Sequence, residues 1–230
     1  MKPKAFIFDL DGVLTDTAHL HFIAWKNISE KMGLKFCEEV NEQLKGVSRI
    51  RSLEIILEVN QCRESYTQKE IEAYATEKNN EYIRLIKQIT PKDVLDGILD
   101  FINEAKDNGI KLAVASASKN ALSVLQALDV EHYFDYIADA NRIQYSKPHP
   151  EVFLDCCKNL GVEPEECIGF EDAQAGIEAL KTAGIFSVGI NVNVVTEKPD
   201  YVLQTTSELN YKKVIERYIE NYSEEANNFI

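Results

Sequence analysis

Long apolar runs are missing from this sequence, and no stretch contains the roughly 20 predominantly apolar residues that a membrane-spanning helix requires. At the amino terminus, residues 1–4 lead into only four apolar residues, which are too few for a secretory signal peptide. Internal repeats and low-complexity segments are missing as well. We therefore expect a soluble protein of the cytoplasm with no membrane partner.

Basic residues are in the minority, because 25 lysines and arginines stand against 38 aspartates and glutamates, a formal net charge of −13 at pH 7. Nucleic acids and anionic membrane surfaces are bound mainly by basic patches, so this balance argues against both. The cysteines do not form an evident disulfide framework either. They number five, and no two are spaced as C-x-x-C, which is typical of reduced thiols inside the cell.

The sequence does contain enough apolar residues for a sizeable core, since 45% of its 230 residues are hydrophobic. From residue 91 onward, short apolar segments typical of strands alternate with helical patterns, as a parallel sheet with crossover helices requires. Residues 17–90 contain no convincing strand. We therefore predict an α/β fold, with a Rossmann-like parallel-sheet core of residues 1–16 and 91–230 and an inserted helical cap of residues 17–90. Residues 223–230 are predicted to be a frayed tail.

Two aspartates follow the first predicted strand. Ala5–Phe8 is an unbroken apolar run, typical of a strand buried on both faces. Asp9 and Asp11 come directly after it, with Leu10 between them and Gly12 behind. Two carboxylates this close repel each other and need a cation, a shared proton or both. Magnesium, often accompanied by a phosphate, suits such oxygen ligands, although an isolated D-x-D more often marks a solvated turn.

Three further polar groups follow predicted strands or precede a turn. Ser116 comes after the predicted strand 111–115 and can help to bind a phosphate, cap the next helix, or do both. Lys147 precedes Pro148, where a lysine is usually a surface residue. The adjacent acids Glu171 and Asp172 follow another buried strand and would be costly in a dry crevice without a cation.

The predicted cap contains a possible anion-binding loop. Lys45, Gly46, Ser48 and Arg49 combine two cations, a flexible backbone and a hydroxyl group. An ordinary solvated helix start explains the same residues about equally well.

Other polar residues of the predicted cap lie on helices. Lys78 falls within the apolar stripe of a helix predicted from residue 67 to 89, where a lysine can extend its amine to solvent. His21 and Trp25 share one side of an earlier helix, and periodicity alone favours partial burial of both at a domain interface.

Residues 8–17 together resemble the first motif of the haloacid dehalogenase superfamily. Ser116, Lys147 and the pair Glu171–Asp172 match its second, third and fourth motifs, in that order along the chain. In this superfamily the first aspartate is the nucleophile, and an aspartate at the second position is found in phosphatases and phosphomutases. Within the superfamily, Lys45-Gly46-Val47-Ser48-Arg49 and Lys78-Asn79 resemble the cap residues of β-phosphoglucomutases.

The resemblance implies a magnesium-dependent enzyme that interconverts β-glucose 1-phosphate and glucose 6-phosphate, with glucose 1,6-bisphosphate as primer and an aspartyl-phosphate as intermediate. The expected catalytic residues are Asp9, Asp11, Ser116 and Lys147. The expected metal ligands are Asp9, Asp11, Glu171 and Asp172. The residues expected to bind substrate are Thr17, His21, Trp25, Lys45, Gly46, Val47, Ser48, Arg49, Ser52, Lys78, Ala117, Ser118, Lys119 and Asn120.

Two alternatives remain open at this point. A sugar-phosphate phosphatase would use the same motifs and release phosphate to water, and a catalytically silent phosphosugar-binding protein would retain the pocket alone. In all three cases the partners are small phosphorylated sugars, and we expect a monomer.

Overall fold

The structure is a computed structural model that describes residues 2–192 and 196–227. Within these residues, six strands form one parallel sheet in the order β3-β2-β1-β4-β5-β6. The strands are β1 (Ala5–Phe8), β2 (Lys111–Val114), β3 (Tyr136–Ile137), β4 (Cys167–Glu171), β5 (Phe186–Ile190) and β6 (Tyr201–Leu203). The predicted α/β fold class is confirmed.

The helices that precede or follow these strands are α1 (Ala18–Lys31), α2 (Glu38–Glu42), α3 (Arg49–Val59), α4 (Gln68–Leu85), α5 (Ile98–Asp107), α6 (Ala121–Ala127), α7 (Glu151–Leu160), α8 (Gln174–Ala183) and α9 (Tyr211–Asn227). Every helix among the described residues is too short or too polar to span a membrane. The prediction of a frayed tail was wrong for residues 223–227, because these residues continue α9. Within the helix, the Ser223 hydroxyl donates to the Ile219 carbonyl. Residues 228–230 lie outside the described residues.

The central strand β1 is buried on both faces, which explains its continuous apolar sequence. Phe6 and Phe8 belong to the apolar cluster on one face, which α5, α6 and α9 cover. Ala5 and Ile7 belong to the cluster on the other face, which α7 and α8 cover. The sheet is therefore the middle layer of three, and its strand ends are the parts that can reach a ligand.

The strand order reverses at β1, which pairs with β2 on one side and with β4 on the other. In open α/β sheets, ligands bind outside the carboxyl ends of the strands at such a switch point. Asp9, Ser116 and Glu171 lie at or just beyond the ends of these three strands. The topology therefore brings together three of the predicted motifs that are far apart in sequence.

Helices α1–α4 are called the cap below. They have an apolar cluster of their own, to which Trp25, Leu53, Ile56 and Ile71 belong. Helix α4 starts with a capping box, in which Thr67 and Glu70 bond to each other's backbone N–H groups. The cap thus has its own core, whereas the exact division at residues 17 and 90 stays a prediction.

Candidate active site

Asp9 and Asp11 both line one cavity, and Leu10 between them is fully buried. The Asp9 backbone N–H donates to the Phe170 carbonyl at 2.9 Å, which continues the sheet register one residue beyond β1. Gly12 then turns the chain with a φ of +81°, and a Cβ there would overlap the carboxylate of Asp172. Glycine is needed at this position for both reasons.

Lys147 is held inside the carboxylate cluster. Its Nζ lies 2.6 Å from Asp9 Oδ1, donates to the Ala115 carbonyl at 3.0 Å, and also donates to Glu171 Oε1. Burial alone would lower the pKa of Lys147, but the two carboxylates raise it, so the amine is charged at neutral pH. The lysine is 1% exposed, so the interpretation of a surface lysine is wrong.

Asp9, Glu171 and Asp172 have carboxylate oxygens that all lie within 4.8 Å of one another. Burial, followed by the charges of neighbouring carboxylates, raises the pKa of Glu171 to about 8 and that of Asp172 to about 7. Glu171 Oε2 accepts from the backbone N–H groups of Asp172 and Ala173, at 3.1 and 3.2 Å. This concentration of oxygen ligands fits a hard divalent cation, which would offset the repulsion.

Asp11 lies at the junction between core and cap. Its Oδ1 accepts a hydrogen bond from Thr17, and its Oδ2 is 3.8 Å from His21 Nε2. Burial first, and then the charge of Asp9, raises the pKa of Asp11 to about 7. A carboxyl group with this pKa can both donate and accept a proton near neutral pH.

Lys78 is buried within the cap and is only 3% exposed, so the interpretation that its amine extends to solvent is wrong. Its Nζ lies 2.7 Å from His21 Nδ1 and 4.7 Å from the centre of the Trp25 ring. Burial is the main reason why the pKa of Lys78 falls to about 7. His21 also stacks on Tyr82, with ring centroids 3.9 Å apart. His21, which lies beside Asp11, is therefore itself held in place by two side chains of α4.

The cavity between cap and core has a volume of about 310 Å³. Sixteen of the predicted site residues line it: Asp9, Asp11, His21, Trp25, Lys45, Gly46, Val47, Ser48, Arg49, Ser52, Lys78, Ala117, Ser118, Lys119, Asn120 and Asp172. The other four, Thr17, Ser116, Lys147 and Glu171, are buried beside these residues. Ser116 is not the N-cap of α6; its Oγ accepts from the Ser118 N–H at 3.1 Å, and Asn120 occupies the N-cap position.

The two cations of the cap loop differ in their partners. Lys45 Nζ lies 3.1 Å from Glu42 and 3.7 Å from Asp172 across the cavity. Arg49 Nε is buried and has no hydrogen-bond partner within the described part of the chain. Burial lowers the pKa of the Arg49 guanidinium, as expected for a cation that lacks an anionic partner. Ser48 does cap α3, by accepting from the Arg51 N–H, so the helix-start interpretation holds for that residue.

A family model described as haloacid dehalogenase-like hydrolase matches residues 3–184. The chain belongs to this family. It is 41% identical over 215 residues to the β-phosphoglucomutase of Bacillus subtilis strain 168, covering 94% of this chain and 95% of the relative. The crystal structure of β-phosphoglucomutase from Clostridium difficile matches with a TM-score of 0.93 and 44% identity, covering 97% of this chain and all of that chain. A phosphorylated carbohydrates phosphatase of Thermotoga maritima is 33% identical over 184 residues, 79% of this chain and 82% of its own.

The resemblance to β-phosphoglucomutases inferred from the sequence is confirmed by these comparisons. The haloacid dehalogenase-like motifs explain the core side of the cavity but leave several lining residues unassigned. The sequence did indicate Asn79, because the pair Lys78-Asn79 resembles cap residues of β-phosphoglucomutases. The others belong to no motif identified in the sequence: Ala18, Asn41, Leu44, Ile50, Ala140, Asn141 and Ile143.

Proposed function

We propose that this protein is a β-phosphoglucomutase that interconverts β-glucose 1-phosphate and glucose 6-phosphate through phosphorylated Asp9 and glucose 1,6-bisphosphate. The observation that carries the proposal is that Asp9 in the core and Arg49 in the cap line the same cavity. A bisphosphorylated sugar can then place one phosphate at the carboxylate and the other at the guanidinium, whose Nε has no hydrogen-bond partner among the described residues. The greater identity to a β-phosphoglucomutase, 41% against 33% for the phosphatase, favours the same reaction.

Asp9 is the proposed nucleophile. Its carboxylate attacks the phosphorus of the bound phosphate, forms an acyl phosphate and displaces a sugar oxygen. Asp11 gives that oxygen a proton as it leaves. In the return step Asp11 removes the proton from the sugar hydroxyl that attacks the phosphorylated Asp9. The pKa of Asp11, raised to about 7, supports both directions.

The charge on the transferring group is balanced by groups fixed around Asp9. The side chains of Asp9, Glu171 and Asp172 would hold Mg²⁺ together with the Asp11 main-chain oxygen, and this cation would neutralise phosphoryl charge. Lys147, already 2.6 Å from Asp9, supplies a further positive charge beside the nucleophile. Ser116 is proposed to bind a further phosphoryl oxygen.

A mutase must protect its acyl phosphate from water between the two half-reactions. The cap covers the cavity, and Arg49 is proposed to grip the phosphate that is not reacting. Its binding energy keeps the cap closed and aligns the sugar hydroxyl with the phosphorylated Asp9. A phosphatase with the same motifs would not need a second phosphate to keep its cap closed, because water is its phosphoryl acceptor.

The function is tested by a coupled assay that detects glucose 6-phosphate, with β- or α-glucose 1-phosphate as substrate, with and without glucose 1,6-bisphosphate. We expect turnover of the β anomer that depends on the bisphosphate and little release of inorganic phosphate. Phosphate release that is independent of the bisphosphate would favour a phosphatase. The cytoplasmic location, the monomeric state and the lack of a nucleic-acid partner stay predictions from the sequence.

A further inference from the structure

One neutral hydrogen bond joins the cap to the phosphate-binding side of the core. Asn120 Nδ2, in the segment that follows β2, donates to Asn79 Oδ1 of α4 at 2.9 Å. Both side chains are partly buried, and both line the cavity. The bond therefore connects a helix of the cap directly to the segment that contains Ser116 and Ser118.

The position of Asn79 on α4 is specific. Successive residues of a helix point about 100° apart, so its two neighbours face elsewhere. Lys78 is buried in the cap against His21. Asn80 is exposed and lines a separate surface groove between α1 and α4. Asn79 thus occupies the edge of α4 that meets the core.

A second contact between cap and core over the cavity is charged: Lys45 lies 3.7 Å from Asp172, one of the proposed metal ligands. The strength of that pair changes when a cation binds or a phosphoryl group arrives, because both alter the charge beside Asp172. The bond between Asn79 and Asn120 joins two uncharged amides. It therefore depends much less on where the phosphoryl group resides.

We propose that Asn79 is a positioning residue that latches the cap closed through Asn120 while Asp9 carries the phosphoryl group. The latch directs the acyl phosphate to a sugar hydroxyl rather than to water, so in this respect it rests on the proposed function. A neutral hydrogen bond of this kind shifts an equilibrium about fivefold. That is enough to favour closure and weak enough to permit opening for product release.

Closure of the cap can be measured without turnover through tryptophan fluorescence. Trp25 is the single tryptophan of the sequence, so the signal comes from one known position. Trp25 lines the cavity and is 3% exposed in this structure. Quenching of its fluorescence by acrylamide, a neutral probe, reports how often the cap opens. We expect Asn79→Ala to raise the Stern–Volmer constant by about twofold or more. Asn80→Ala is the matched control, with the same change one residue along the helix and no contact with Asn120.

The second readout is the ratio of inorganic phosphate to glucose 6-phosphate formed from β-glucose 1-phosphate and its bisphosphate primer. Asn79→Ala should raise this ratio about fivefold, whereas Asn80→Ala should leave it at the wild-type value. In an Asn120→Ala background, Asn79→Ala should have no further effect on either readout, because the bond is already lost.

Unchanged quenching in Asn79→Ala, or an equal rise in Asn80→Ala, would overturn the latch. A full additional effect of Asn79→Ala in the Asn120→Ala background would overturn it too, since Asn79 would then act without Asn120. If the wild type fails to interconvert glucose phosphates but Asn79→Ala still raises quenching, the latch stands and the proposed function fails. The latch and the proposed mutase function are therefore contradicted by different observations.

Discussion

Replacement of Arg49 by alanine tests the link between the cap and the mutase reaction. Arg49 Nε is buried without a hydrogen-bond partner in the described residues, and the side chain lines the cavity. The desolvation of this nitrogen is therefore not offset by a hydrogen bond from the described residues, and a phosphate is a ligand that would offset it. On the proposed function, Arg49→Ala removes the contact with the distal phosphate and leaves the Asp9 cluster intact.

The expected magnitude follows from the number of hydrogen bonds. Each bond to a charged group contributes roughly 1.5–3 kcal/mol, and a guanidinium can make two such bonds to one phosphate. The loss of at least about 3 kcal/mol corresponds to a decrease of about a hundredfold or more in kcat/KM. Arg49→Lys should recover only part of this, because an ammonium keeps the charge but not the forked geometry.

The assay compares two phosphoryl donors in each variant. Transfer to and from glucose phosphates should fall as described, whereas hydrolysis of acetyl phosphate, which has no second phosphate, should be nearly unchanged. Arg51→Ala is the matched control, because Arg51 lies on the same helix, is paired with Glu58 at 2.6 Å, and does not line the cavity. A parallel loss of both activities in Arg49→Ala would refute the reasoning and make Arg49 a structural residue.

Three further substitutions test the core of the site. Asp9→Asn should lower turnover by at least roughly a thousandfold, as for a lost covalent nucleophile; activity within tenfold of the wild type would exclude the assignment. Asp11→Ala should impair transfer between sugar hydroxyls more than phosphorylation of the enzyme by acetyl phosphate, since acetate leaves with little protonation; equal losses would contradict its acid–base role. Gly176→Ala should weaken Mg²⁺ binding by about tenfold or more in titration calorimetry, because the new Cβ would overlap the Glu171 carboxylate; unchanged affinity would show that Glu171 need not stay where it is.

The core side of the site could be predicted from the sequence because its signals are local. The apolar run of β1 ends at Asp9, and the acids Glu171 and Asp172 are at the end of β4 and directly after it. Parallel strands then force these residues to one edge of the sheet. The same reasoning placed Ser116 at that edge, although it did not reveal that Ser116 bonds to the Ser118 N–H instead of capping α6.

The cap side could not be predicted in the same way, because it depends on how helices pack. Periodicity placed Lys78 in an apolar stripe, but only the packing of α4 on α1 shows that its amine is buried against His21. The bond between Asn79 and Asn120 joins residues 41 positions apart, and no pattern within either segment indicates it. The continuation of α9 past Ser223 was missed because polar residues alone gave no reason for the helix to persist.

The most direct test of the proposed function is the fate of the phosphoryl group during turnover of β-glucose 1-phosphate. Phosphorus NMR of one reaction mixture, started with a small amount of glucose 1,6-bisphosphate, follows the sugar phosphates and inorganic phosphate together. A β-phosphoglucomutase converts the substrate to glucose 6-phosphate until equilibrium, with far less inorganic phosphate formed than sugar phosphate interconverted. Release of one inorganic phosphate for each sugar phosphate consumed would contradict the proposal and identify a phosphatase.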